Sequence, residues 1–305
     1  MIYKLSEGIS PVNRISLPVS CALGCFDGVH LGHRALIEET VKDQKRGYVS
    51  AVWTFSKPFG GSYIESVDTR LAICGELGVQ YAVCEDFDAV KDLTPREFIT
   101  RLFNGLGVRK FVCGRDFRFG HNREGSAETL KSIAGELGAE VAIIEPVMLL
   151  TKENEKISST YIRSLIANGS VEEASTLLAR PFSITAKITE GKHIGRTMDF
   201  PTVNQSLERG RVVPRFGVYC SASVIDGIRY PSVTNIGIRP TVNADVSDVT
   251  CETHIIGKHF DLYGKTLTVE LYRYLRPEKQ FPSLDALRQA IEEDCKIAEE
   301  YFLLF

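Results

Sequence analysis

The chain has 305 residues, 44% hydrophobic and 25% charged, the make-up of a globular protein rather than a disordered one. Its net charge of -3 excludes a general nucleic-acid or membrane-surface binder, which needs a basic stripe. Eight cysteines show neither CxxC spacing nor histidines at metal-ligand intervals, and read as reduced, mostly buried thiols. The opening MIYKLSEGIS has no basic segment followed by an apolar run, and no apolar stretch reaches spanning length, so the expected compartment is the cytoplasm.

Taken in order, the first half alternates short apolar runs with helical patterns. Pro18–Leu23 reads as a buried strand and 34–45 as the helix after it. Strands are expected over 47–55, 79–84, 110–113 and 140–144, with helices over 95–106 and 127–137. Strand–helix repetition with apolar strands predicts a parallel sheet covered on both faces. Ser158 offers an N-cap for a further helix, and an amphipathic segment over 171–178 leads to Arg180-Pro181. Beyond Pro181 the texture changes. Strands over 182–188, 217–225, 250–256 and 266–275 follow one another with Gly-rich turns and no helices between them. That is the pattern of an antiparallel barrel or sandwich, closed by one helix over 284–301. The boundary is expected near 179–182, with no internal repeat and no low-complexity tract.

Ligands of a doubly wound sheet sit beyond the carboxyl ends of its strands. The stretch GCFDGVHLGH, 24–33, lies there, directly after the first strand and before a helix. Gly24, Gly28 and Gly32 let the backbone turn tightly, and the helix start offers unpaired N–H groups to phosphate. His30 and His33 can point together at developing negative charge. The turn is neither a Walker A loop nor a GxGxxG fingerprint. Two further segments fall on the same edge. GRDFRFG, 114–120, places Arg115 and Arg118 around Asp116, and ISSTYIR, 157–163, begins a helix with Ser158, Ser159 and Thr160, followed by Arg163. Read singly, these are a charged loop and an ordinary helix cap; together they mark one phosphate-binding edge.

In this order and at these spacings the three motifs resemble the adenylyltransferase module of bacterial riboflavin kinase/FAD synthetases. GRTMDFPTVN at 195–204, PRFGVY at 214–219, NIGIRPT at 235–241, CETH at 251–254 and LYGK at 262–265 resemble the riboflavin kinase module of the same family. The resemblance implies an HxGH-type, Rossmann-like nucleotidyltransferase domain over 1–180. A six-stranded split β-barrel with a C-terminal helix over 181–305 is implied to follow it. It also implies conversion of riboflavin and ATP to FMN, then of FMN and a second ATP to FAD and pyrophosphate. On that likeness Thr202 and Asn204 supply oxygens to Mg2+, which travels with the nucleotide, and Glu252 is the base that takes the ribityl hydroxyl proton. His30 and His33 act on the phosphates of the second step. ATP or flavin contacts are implied for Gly24, Phe26, Asp27, Gly28, Gly32, Gly114, Asp116, Phe117, Arg118, Phe119, Ser158, Ser159, Thr160 and Arg163. In the second half they are implied for Gly191, Gly195, Arg196, Pro201 and Arg276. No nucleic acid or membrane partner is implied.

The chain also departs from the family pattern. TFSKPF at 54–59 stands where a TFxPHP-like segment is usual, so a histidine near position 58 is missing. Ala186 and Asp199 stand where glycines are usual, and Gly257-Lys258 replaces an acidic-aromatic pair. Two alternatives follow: a kinase with weak or lost adenylylation, motivated by TFSKPF, and a flavin-binding regulator without turnover.

Overall fold

The computed structural model describes residues 3–5, 15–57, 61–149, 155–189, 200–239, 248–258 and 260–303. The chain divides into two compact units, Met1–Ser159 and Thr160–Phe305.

In the first unit, β1 (Tyr3–Leu5), β2 (Val19–Leu23) and α1 (Leu31–Lys42) precede β3 (Val49–Phe55), α2 (Val67–Glu76) and β4 (Tyr81–Glu85). The short α3 (Phe87–Val90), α4 (Pro95–Arg101), β5 (Val108–Gly114), α5 (Ala127–Glu136) and β6 (Glu140–Ile144) follow. The strands form one six-stranded sheet in the order β1-β4-β3-β2-β5-β6, every pairing parallel. Successive residues of a strand point to opposite faces, and the core divides accordingly. Cys21, Ala51, Val83 and Phe111 pack with Phe98, Ile99, Leu102 and Leu130 on one face. Ala22, Val52, Ala82 and Val112 pack with Ile37, Leu71 and Cys74 on the other. Strands buried on both faces explain the unbroken apolar runs of the sequence. Pro95 at the start of α4, after a Thr94–Glu97 capping box, fixes that helix, and a π turn over Leu102–Leu106 carries it to Gly107.

α6 (Ser159–Asn168) starts at the last residue of the first unit and continues in the second, which carries α7 (Val171–Leu178), packed on β7 (Phe182–Thr189) and on β12 (Thr266–Arg276). β8 (Thr202–Ser206), β9 (Gly217–Ile225), β10 (Ile228–Arg239) and β11 (Asp248–Ile255) complete a closed antiparallel barrel, ordered β10-β11-β8-β7-β12-β9. The terminal helix α8 (Leu284–Leu303) packs on β9 and β10. Val218, Cys220 and Val233 meet Cys295 and Ala298 of α8, so their alternation partners face the barrel interior. Those partners include a hydroxyl ladder: Ser221 to Thr234 at 2.8 Å, and Thr234 to Thr253 at 2.9 Å. Paired hydroxyls satisfy each other without water.

Against the sequence expectation, β1, α2, the short α3, β8 and β10 are additional elements. TVNQS in β8 is too polar to read as a strand alone, and Pro231 and Gly237 interrupt the pattern of β10. The eight cysteines are free; seven are buried and Cys25 is exposed. Among the described residues no helix is long and apolar enough to cross a membrane.

Candidate functional site

The turn after β2 is shaped by backbone conformations that few residues adopt. Phe26 (φ 51°), Gly28 (φ 79°) and even the β-branched Val29 (φ 41°) lie in the left-handed region around a single 3-10 turn, Asp27–Val29. His30 then returns to extended backbone and caps α1, its Nδ1 accepting the His33 N–H at 3.4 Å. A nitrogen that accepts leaves the neutral ring's proton on Nε2, so Nε2 is the donor His30 can offer. The His30 and His33 rings stack at 3.7 Å with an interplanar angle of 21°, and Phe26 flanks His33 at 5.2 Å. A side chain at Gly32 would approach the His30 ring to 3.2 Å, so that ring would have to give by a few tenths of an ångström. Burial, together with the neighbouring His30 and the charge of Arg70, holds the His33 imidazole well below its ordinary range and neutral at neutral pH.

The turn is also tied from outside. Asp27 Oδ1 accepts the Ile64 N–H at 2.8 Å and the Glu65 N–H at 3.4 Å, and its carbonyl accepts the Ser159 hydroxyl at 2.9 Å. The Cys25 carbonyl accepts from Thr54 Oγ1 at 3.0 Å and from the Arg70 guanidinium. Ser158 immediately precedes α6. Thr160 and Arg163 fall in the second unit, where Arg163 Nη2 donates to Thr160 Oγ1 at 3.0 Å.

Gly114 ends β5, with nothing within 4 Å of the place a side chain would occupy. After it Arg115 binds Glu145 (Nε to Oε2, 2.8 Å), Asp116 pairs with Lys156, and Arg118 is exposed. Phe117 and Phe119 stack at 5.4 Å. A cavity of about 520 Å³ opens beside Gly24, with Asp116 and Arg118 in its lining. Its aromatic walls are Trp53, Phe55, Phe87, Phe98, Phe117 and Phe119. The Trp53 indole N–H donates to buried Glu85 at 2.7 Å, and Arg101 holds the other oxygen of that carboxylate. Lys57, from the departed TFSKPF segment, reaches Asp86 at 2.8 Å on the surface; Pro58 and Phe59 lie outside the described residues.

In the barrel, register gathers residues that are far apart in sequence. Asn204, Glu252, Asn235 and Val218 form one row across β8, β11, β10 and β9, on the outer face. Thr202, His254, Val233 and Cys220 form the next row. Opposed antiparallel residues have Cβ atoms about 5 Å apart, so Thr202, Asn204, Glu252 and His254 make the corners of a small square. His254 Nδ1 sits 3.0 Å from the Pro201 carbonyl and therefore donates to it. The larger barrel cavity, about 600 Å³, is lined by Thr202, Asn235, Glu252 and His254 from the barrel and by Phe281, Leu287 and Ile291 from the C-terminal segment. A second, of about 260 Å³, is lined by Pro201, Thr202, Lys258, Phe260 and Tyr263. Thr202 belongs to both. Arg276 lines the larger one with its fork locked on buried Asp294 of α8, Nε to Oδ1 3.0 Å and Nη2 to Oδ2 2.7 Å. Gly191, Gly195, Arg196 and Asp199 lie outside the described residues.

Nothing in the sequence pattern alone singles out Arg70, Trp53, Asn235, His254 or Asp294. His254 lies in CETH and Asn235 in NIGIRPT, and the strand register brings both to the cavity wall. Asp294 reads from sequence as one more acid on an amphipathic helix, and Arg70 lay in a helix the pattern did not reveal.

Residues 13–161 match the FAD synthetase family and residues 178–302 the riboflavin kinase family. The bifunctional riboflavin kinase/FMN adenylyltransferase of Bacillus subtilis (strain 168) is 33% identical over 295 residues, 92% of each chain. The chain belongs to this family. The Pseudomonas fluorescens enzyme of the same name is 36% identical over 286 residues, 90% of each chain. A solved structure from Streptococcus pneumoniae, described as a macrolide-efflux protein, superposes with a TM-score of 0.85 at 27% identity, covering 98% of this chain and 99% of that one. The family's fold agrees with the parallel sheet and the closed barrel with its terminal helix.

Proposed function

We propose that residues 181–305 phosphorylate riboflavin to FMN and that residues 1–180 join FMN to the AMP of a second ATP, giving FAD and pyrophosphate. The observation that carries the kinase step is the placement of Glu252. It stands opposite Asn204, on the wall of the larger barrel cavity, one row from the Thr202 shared with the smaller cavity. The larger cavity, with Phe281, Leu287 and Ile291, suits a flat aromatic ring system; the smaller one, with Lys258 and Tyr263, suits a nucleotide. The Glu252 carboxylate takes the proton of the terminal ribityl hydroxyl, whose oxygen attacks the γ-phosphorus of ATP, and ADP leaves. Thr202 and Asn204, two residues apart on one strand face, offer neutral oxygens, a donor set fit for a hard cation already carried by phosphate. Mg2+ held there by Thr202 and Asn204 would neutralise phosphate charge.

In the other unit the nucleophile is the FMN phosphate, which needs no base. It attacks the α-phosphorus, and pyrophosphate leaves. His30 Nε2–H and the free N–H groups at the start of α1 hydrogen-bond the phosphate oxygens as charge shifts onto the leaving group. Neutral His33 keeps the ring stack free of a positive charge that the nearby Arg70 would oppose. The aromatic cavity beside Gly24 takes the flavin ring. The free cysteines agree with a reducing compartment, the cytoplasm.

Chromatographic separation of products tests this reading. Riboflavin, ATP and Mg2+ should yield FMN and then FAD, and FMN with ATP should yield FAD; absence of both products overturns it. A second reading, kinase with little adenylylation, draws on Lys57, which is 79% exposed and turned to Asp86. It expects FMN to accumulate, and a histidine at position 58 to raise the FAD yield.

A further inference from the structure

Arg70 is a charged group buried where little neutralises it. It lies in α2, 3% exposed, behind the Gly24–His33 turn. Its guanidinium donates to the Cys25 carbonyl, to Thr54 Oγ1 at 3.4 Å and to the Phe55 carbonyl at 3.5 Å, while Nε has no partner. Among the described residues no carboxylate pairs with it. The contrast with neighbours in the same unit is plain. Buried Lys110 sits between Asp43 and Glu39, each at 2.8 Å, and Arg101 is matched by Glu85. A guanidinium stays protonated at any physiological pH, so burial without a counter-ion costs stability unless an anion completes the site. The groups it touches are the carbonyls of the phosphate turn and of the end of β3. Its field also reaches His33, whose protonation it opposes.

We propose that Arg70 is the fixed counter-charge of the adenylyl-transfer site, a positioning residue that holds the turn through Cys25 and is neutralised by the phosphates of bound ATP. The turn would then be assembled in a slightly unfavourable state that nucleotide relieves. Removing the charge costs nucleotide affinity while costing the ligand-free fold little, the reverse of what a structural strut does. This rests on the reading of the turn as the ATP site. The kinase step in the other unit supplies an internal control for protein quality.

The test compares wild type with Arg70→Met and Arg70→Lys. The readouts are the apparent KM for ATP when FMN is converted to FAD, the same constant when riboflavin is converted to FMN, and the unfolding midpoint of ligand-free protein. Arg70→Met should raise the first by about 10- to 100-fold, the scale of one charged hydrogen-bonding group. It should leave the second unchanged and the midpoint level or higher. Arg70→Lys should recover part of the ATP affinity by restoring charge. An unchanged ATP constant in Arg70→Met overturns the proposal, as does a lowered midpoint that the lysine variant shares with no recovery of affinity. If wild type itself makes no FAD from FMN and ATP, the reading of the turn fails instead, a result distinct from an active enzyme indifferent to Arg70.

Discussion

The two candidate sites are built by different means. In the first unit the geometry is local: ten consecutive residues supply three left-handed backbone positions, a helix cap and a histidine stack. In the barrel it is assembled at long range, from Thr202 and Asn204 on one strand, Glu252 and His254 on the next, and Arg276 fixed by a helix near the end of the chain. A local site fails when its backbone or its capping ring changes. A register-built site fails one side chain at a time, provided the barrel closes. Preorganised backbone donors and a buried ring suit charge stabilisation, whereas a strand face places a base and neutral oxygens at fixed spacing.

Substitutions that separate the sites sharpen this comparison. Glu252→Gln keeps shape and removes the proposed base; FMN formation should fall by about 10²- to 10⁴-fold in product chromatography, while FAD formation from supplied FMN is unchanged. His30→Ala removes both a helix cap and a donor, and FAD formation should fall by about 10²-fold with FMN formation intact. Asp294→Asn leaves Arg276 without its carboxylate. About 3 kcal/mol should be lost in denaturant unfolding, the low end for breaking a buried pair, and the KM for riboflavin should rise.

The pH dependence of stability isolates His33. Its folded-state range is depressed, so the unfolded chain takes up a proton near pH 6.5 that the folded turn refuses. Its contribution is therefore present above about pH 6.5 and declines below it, by at most about 1.4 kcal/mol per pH unit. The unfolding midpoint of wild type should fall more between pH 7.5 and pH 5.5 than that of His33→Gln. Parallel slopes would show that the stack admits a proton. The smallest effect is expected at Lys57, whose exposed pair with Asp86 is screened by solvent. Lys57→Ala should leave the unfolding midpoint and the KM for ATP in FAD formation unchanged. A raised KM would place Lys57 on the nucleotide in place of the missing histidine.

Much of the fold was legible because strand–helix alternation and buried apolar runs are strong signals in a parallel sheet. What escaped were β8 and β10, polar or interrupted strands whose reason for pairing lies in the barrel around them, and α2, whose face is closed by Cys74 and Leu71. At the turn, the glycines and histidines were visible in sequence, but the neutral, stacked state of His33 follows from burial and could not be read there. The carboxylate role of Asp27 was equally hidden, since its acceptor bonds go to Ile64 and Glu65, far along the chain. In the barrel, PTVN and CETH were legible as motifs, while their opposition across β8 and β11 became visible only through register.

On the proposed function, one chain carries two independent transfer sites linked by free FMN. Mixing the Glu252→Gln and His30→Ala proteins tests it most directly, with riboflavin, ATP and Mg2+ supplied and FAD quantified by chromatography. Each variant alone should form little FAD, and the equimolar mixture should restore it, FMN from one protein feeding the other. A mixture no better than the variants alone, while each retains its remaining single activity, would show that free FMN does not pass between two independent sites.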